Sequence, residues 1–229
     1  MTRSGPSAGP PQAGPHPLGG STNVPVRRGA PRIGIFGGSF NPPHLAHLAL
    51  ARVAVQSLQL DELRWLPAGA PWQKPAGALA PAEDRAAMVR LLMADEPRQT
   101  LDLRELLRQR PSYTVDTARE LKAEFPEAEL VLVIGQDQYA RLDTWRDAAQ
   151  LRSLVSFAVA AREGRTPSPP AAWSGLAHAM NVLPLPRTDI SATGIRERIA
   201  AGQPVSPLVG EAVARYIDQH LLYRAPPGR

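Results

Sequence analysis

From residue 32 onward, short apolar runs alternate with longer stretches in which apolar positions recur every three or four residues, and turn-forming residues follow each run. This alternation predicts strands at residues 32–36, 62–67, near Thr100, 129–135, 154–161 and 181–185. Helices are predicted at residues 44–57, 81–94, 114–124, 191–201 and 209–220. The run from Leu130 through Val131, Leu132 and Val133 to Ile134 is apolar at every position, which suits a strand covered on both faces of a parallel sheet. The expected fold class is α/β, a doubly wound, Rossmann-like parallel sheet in a single domain spanning residues 32–229. Residues 162–178, with a TPSPP run, read as a loop, and the chain shows no internal repeat.

Composition changes this picture mainly at the N-terminus. Residues 1–31 are dominated by Gly, Pro, Ser and Ala, with scarcely a large apolar side chain to bury, and read as a disordered extension outside the fold. The stretch is free of acidic residues, as transit peptides are, but its Pro and Gly content opposes the amphipathic helix such peptides form. The net charge of +5 and the isoelectric point near 10.2 raise the question of a nucleic-acid partner. Four of the 26 basic residues (Arg3, Arg27, Arg28 and Arg32) precede residue 33, and the first acidic residue is Asp61. Residues 33–229 therefore carry 22 basic against 21 acidic groups, an ordinary balance that argues against nucleic acid. The absence of cysteine excludes disulfides and zinc–thiolate sites. No apolar run reaches the roughly 20 residues of a membrane span, and no signal-peptide core is present. The expectation is a cytoplasmic protein without a membrane partner; nothing in the sequence sets its oligomeric state.

The chemistry concentrates at IGIFGGSFNPPHLAHLALAR, residues 33–52. A strand, a glycine-containing turn and a helix form the arrangement in which unpaired N–H groups and the positive end of the helix dipole hold an anion. The spacing matches neither the dinucleotide fingerprint nor the P-loop. His44 and His47, at i and i+3, share one face beside that anion position. Zinc helices usually present histidines at i and i+4 with a further ligand, so the spacing does not call for a metal site. A plainer reading, one imidazole capping the helix and the other packed in the core, fits the same spacing.

A second stretch, ISATGIRERI at residues 190–199, places Ser191 and Thr193 at a helix start with Arg196 and Arg198 about a turn later. Taken alone, this is ordinary capping and a solvated face. Combined with the histidine-bearing helix start, it suggests a second phosphate grip on the crevice at the carboxyl ends of the strands.

GGSFNPPHLAH and ISATGIRER resemble the two signatures of the HxGH-type nucleotidylyltransferases. The stretches around Lys74-Pro75, Pro111 to Thr114, Ile134 to Asp137 and Thr144-Trp145 narrow the resemblance to the bacterial nicotinate-nucleotide adenylyltransferase family, over residues 33–223. The resemblance implies adenylyl transfer from ATP to nicotinate mononucleotide, with no covalent enzyme intermediate and with Mg²⁺ delivered by ATP. It implies His44, His47 and Arg196 as the catalytic residues. ATP and phosphate binding would fall to Gly37, Gly38, Ser39, Phe40, Lys74, Gly135, Asp137, Ser191 and Thr193. Nicotinate mononucleotide would meet Trp145 as a stacking surface, with Tyr113 and Thr114 recognising its carboxylate. Core packing remains open for Trp145, as does a helix N-cap for Asp137. Where the family has His-x-Gly-His, this chain has Ala46, better than glycine inside a helix by about 1 kcal/mol. The departure bears on the fit of the adenosine part more than on the reaction type. Rival readings are another member of the superfamily, such as a phosphopantetheine adenylyltransferase or a cytidylyltransferase, and a noncatalytic nucleotide- or nucleic-acid-binding module.

Overall fold

The computed structural model describes Met1 and residues 29–69, 79–161, 166–185 and 188–224. Six parallel strands form one sheet: β1 (Arg32–Gly38), β2 (Glu62–Pro67), β3 (Gln99–Leu101), β4 (Glu129–Gly135), β5 (Ser156–Ala161) and β6 (Met180–Pro184). Their spatial order is β3-β2-β1-β4-β5-β6, so the chain winds one way from β1 and the other way from β4. The crevice between the carboxyl ends of β1 and β4 is therefore the topological switch point, where open α/β sheets bind ligands.

The unbroken apolar run of β4 serves both faces, as expected. Leu130, Leu132 and Ile134 join a core with Val115, Ala118 and Leu121 of α4 (Thr114–Glu124), whereas Val131 and Val133 join the opposite core with Ala51, Ala54 and Val55 of α1 (Leu45–Ser57). This is the period of two at work, with each face covered by helices. A third cluster joins Met88 of α2 (Ala82–Leu92), Ile195 of the long helix after β6, and Val213 and Ile217 of the C-terminal helix.

Several boundaries differ from the sequence expectation. Single-turn helices α3 (Arg104–Leu107) and α5 (Gln136–Tyr139) are too short to show periodicity. Helix α6 (Ala148–Leu154) takes the first residue assigned to the fifth strand, which starts at Ser156. Helix α7 (Ala192–Ala200) follows β6. The expected helix at 209–220 is α9 (Glu211–Gln219), and its first residue, Val209, instead ends a separate single-turn helix, α8 (Ser206–Val209). Gly210 separates them with φ +82°, a conformation that L side chains rarely adopt. No helix among the described residues is long and apolar enough to cross a membrane.

Candidate active site

Strand β1 continues through both glycines: Gly37 and Gly38 pair with Leu66 and Pro67 of β2. The glycines thus end the strand, and the turn falls on the residues after them. A Cβ on Gly37 would meet open space, whereas one on Gly38 would press on the Phe40 ring. The sharp reversal is at Phe40, with φ +43°. Its ring is 1% exposed, lying beneath the loop against Phe36, Trp65 and His47 at centroid distances of 5.5, 5.1 and 5.2 Å. This burial closes the Phe40 ring to a ligand in the cleft. Ser39 offers its carbonyl to Arg85 at 3.0 Å.

His44 takes the N-cap position of α1 with extended backbone, and His47 is the third helical residue. The His44 N–H donates to Nδ1 of His47 at 3.2 Å. The capping alternative is therefore physically present, and it fixes a tautomer: with Nδ1 accepting, a neutral His47 carries its proton on Nε2. The two imidazoles stack with centroids 3.6 Å apart. Burial lowers the His44 pKa to about 4, and burial together with the neighbouring His44 ring pushes His47 well below the ordinary histidine range. Burial therefore favours the neutral form of both rings near pH 7. Nδ1 of His44 is buried and meets no partner among the described residues.

The two motifs meet. Arg196 of α7 donates from one guanidinium nitrogen to the carbonyl of Asn41 at 2.9 Å, across 155 positions of sequence, and from the other to Oγ1 of Thr193 at 3.2 Å. Ser191 is the N-cap, its Oγ accepting from the Gly194 N–H at 3.1 Å. Arg198 turns away and donates to the Pro204 carbonyl. Of the two arginines in the second motif, Arg196 alone reaches the histidine loop.

On the other flank of the switch point, Gly135 ends β4 beside open space, and Asp137 is exposed on α5. Gly135, not Asp137, is the N-cap of that helix. Tyr113 caps α4, and Thr114 is its first residue. This start is held from below: Oγ of Ser112 donates to the Glu105 carbonyl at 3.1 Å, and Oγ1 of Thr117 donates to the Glu105 carboxylate at 2.8 Å. Tyr113 and Trp145 both pack, half-buried, on the core cluster that contains Leu66 and Ile134. The guanidinium of Arg146 lies 5.0 Å from the Tyr113 ring centroid. The indole N–H of Trp145 is buried and meets no acceptor among the described residues. Lys74 lies outside the described residues.

Three residues that the sequence did not single out as site residues hold this architecture together. Arg85, 2% exposed, bonds the carbonyls of Ser39, Ala68 and Ala80 and so ties the loops after β1 and β2 to α2. Asn41, also 2% exposed, accepts at Oδ1 from the Ala80 N–H and the Tyr223 hydroxyl, both at 2.9 Å. Asn41 lies within the quoted motif and was legible there. Arg85 sits in an amphipathic helix, where arginine ordinarily signals solvent, and Tyr223 follows the last predicted helix without any motif. Among the described residues no three His, Cys, Asp or Glu side chains gather as a metal site.

The family model described as Cytidylyltransferase-like matches residues 35–198. A protein of Methylibium petroleiphilum named "Probable nicotinate-nucleotide adenylyltransferase" is 48% identical over 201 residues, which cover 86% of this chain and 94% of that protein. A protein of Albidiferax ferrireducens with the same name is 45% identical over 195 residues, covering 84% and 98%. Among solved structures, the Plasmodium falciparum nicotinic acid mononucleotide adenylyltransferase complexed with NaAD has a TM-score of 0.68. It covers 84% of this chain and 97% of its own, at 17% identity, a likeness of fold.

Proposed function

The chain belongs to the nicotinate-nucleotide adenylyltransferases, within the cytidylyltransferase-like nucleotidyltransferases, and from that premise we propose that it transfers the adenylyl group of ATP to nicotinate mononucleotide. In this reading the 5′-phosphate oxygen of the mononucleotide attacks the α-phosphorus in line. The bond from that phosphorus to the bridging oxygen breaks, pyrophosphate leaves, and nicotinate adenine dinucleotide forms without a covalent enzyme intermediate. The attacking group is already an anion, so catalysis consists of positioning two polyanions and stabilising charge that moves to the leaving group.

The observation that carries the reading is the hydrogen bond from Arg196 to the Asn41 carbonyl, which puts a permanent cation beside the loop leading to His44 and His47. Arg196 is assigned to the β and γ phosphates. His47, as a neutral donor through Nε2, and His44, whose buried Nδ1 meets no partner among the described residues, are assigned to the reacting phosphates. Gly37, Gly38, Ser39 and Phe40 contribute backbone to the phosphate cradle, with Ser191 and Thr193 in support. Lys74 is retained as a phosphate contact, and Gly135 and Asp137 as the ribose side of the site. Trp145, whose indole N–H meets no acceptor among the described residues, is the surface for the pyridine ring, and Tyr113 and Thr114 flank the nicotinate carboxylate. Magnesium belongs to the substrate in this scheme, entering on the phosphates of ATP. Residues 32–229 are the catalytic domain, residues 1–31 an extension, and the compartment is the cytoplasm.

Pyrophosphate release with ATP and either nicotinate or nicotinamide mononucleotide tests the reading. The expected outcome is release with nicotinate mononucleotide, slowed about 10² to 10³-fold in His47→Ala with little change in melting temperature. Release with neither pyridine nucleotide would refute the assignment of substrate.

A further inference from the structure

Asn41 is a junction, and each of its bonds has a defined direction. Its Oδ1 takes the Ala80 N–H, which can only donate, so the amide oxygen and not the nitrogen faces this point. The Tyr223 hydroxyl, 2.9 Å from the same oxygen, is therefore a donor too. The two bonds occupy both lone pairs of Oδ1, while the carbonyl of the same residue carries Arg196. Asn41 is thus gripped from the segment leading into α2, from α7 and from the last turn of the described chain, three residues before His44.

Tyr223 reaches this point by an unfavourable route. Leu221 and Tyr223 have φ of +53° and +61°, left-handed values that cost energy for residues other than glycine. The ring packs on the cluster that joins α2, α7 and α9, and the hydroxyl lies within the fields of both Arg85 and Arg196. Burial raises its pKa despite those cations, so it is a neutral donor at every working pH. Tyr216, on the preceding helix, makes a different bond, to Oδ1 of Asp84 at 2.8 Å, and provides an internal comparison.

We infer that Tyr223 is a positioning residue for triphosphate binding, its hydroxyl fixing the Asn41 peptide on which Arg196 rests, so that the C-terminal turn sets the geometry of the phosphate grip. This rests on the transferase reading for the identity of the nucleotide. Tyr223 itself touches no reacting atom in this scheme; it acts through Asn41 and Arg196.

The test is Tyr223→Phe in the full chain, which removes one oxygen and keeps the ring in its cluster. Calorimetric titration with ATP alone should show affinity weakened about tenfold, the scale of one well-placed hydrogen bond. In turnover, KM for ATP should rise by a similar factor while KM for nicotinate mononucleotide stays within about twofold. Tyr216→Phe should lower the melting temperature and leave ATP affinity intact. In an Arg196→Lys background, Tyr223→Phe should add little, since both changes act on one contact. Unchanged ATP binding in Tyr223→Phe, equal losses for both substrates, or full additivity with Arg196→Lys would overturn the inference and leave the transferase standing. A wild-type chain that binds ATP but transfers to neither pyridine nucleotide would refute the substrate, and the ATP titrations would still decide the role of Tyr223. A wild-type chain that binds no ATP would overturn both.

Discussion

His44 and His47 show how one pair of side chains carries structure and chemistry together. The same Nδ1 that accepts the N–H of the N-cap residue His44 leaves the proton of a neutral His47 on Nε2. Stacked and desolvated, the two rings resist protonation, and this has a consequence for stability. The unfolded chain takes up protons on both imidazoles near pH 6.5, whereas the folded chain does not until about pH 4 for His44 and well below the ordinary histidine range for His47. Between those limits the unfolded state binds more protons, so the free energy of unfolding falls as pH drops from about 6.5 towards 4 and is insensitive to these groups above that window. Thermal melts from pH 7.5 to 5 should show this decline in ligand-free protein. A His44→Asn/His47→Gln double variant should show a flatter profile. An equally steep profile in the variant would remove the pair as its source.

Among the elements, α4 takes the expected bounds residue for residue, and α7 falls within one residue of its own at each end because its start is written locally: Ser191, then Thr193, then Arg196. Ser191→Ala removes the bond to the Gly194 N–H and should cost about 1 kcal/mol in denaturant unfolding. Ser191→Asn retains capping. Weakened ATP binding in that variant at unchanged stability would identify a direct phosphate contact, separate from the cap. Helices α3, α5 and α8 were not legible, since a single turn shows no amphipathic period and forms only with tertiary support. The split between α8 and α9 depended on one glycine inside an otherwise helical pattern, a signal that is tolerated in many helices and breaks this one because Gly210 adopts φ +82°.

For the molecule as a whole, the described fold is anchored at its first strand. The Pro31 carbonyl accepts from the Glu129 N–H at 2.8 Å, and Arg32 bonds Asp61, the Leu58 carbonyl and the Glu129 carboxylate. Residues 2–28 precede all of these contacts and hold three of the arginines behind the high isoelectric point. A chain lacking them should melt at the same temperature and retain kcat/KM within about twofold. A loss of transfer that salt mimics in the full chain would instead assign the basic segment a role in function.

Element types, the parallel sheet and the two phosphate motifs could be read from residue order because they are local: periodicity, caps and turn chemistry act over a few neighbours, and both faces of β4 were foretold by five consecutive aliphatic side chains. Family resemblance then pointed to the reaction. Folding alone decided that Arg196 and Tyr223 converge on Asn41, that the arginine at position 85 spends its charge on three carbonyls, and that burial favours the neutral form of both histidines. Desolvation and hydrogen-bond direction depend on what other parts of the chain bring within a few ångströms, and that information does not exist until the chain is folded.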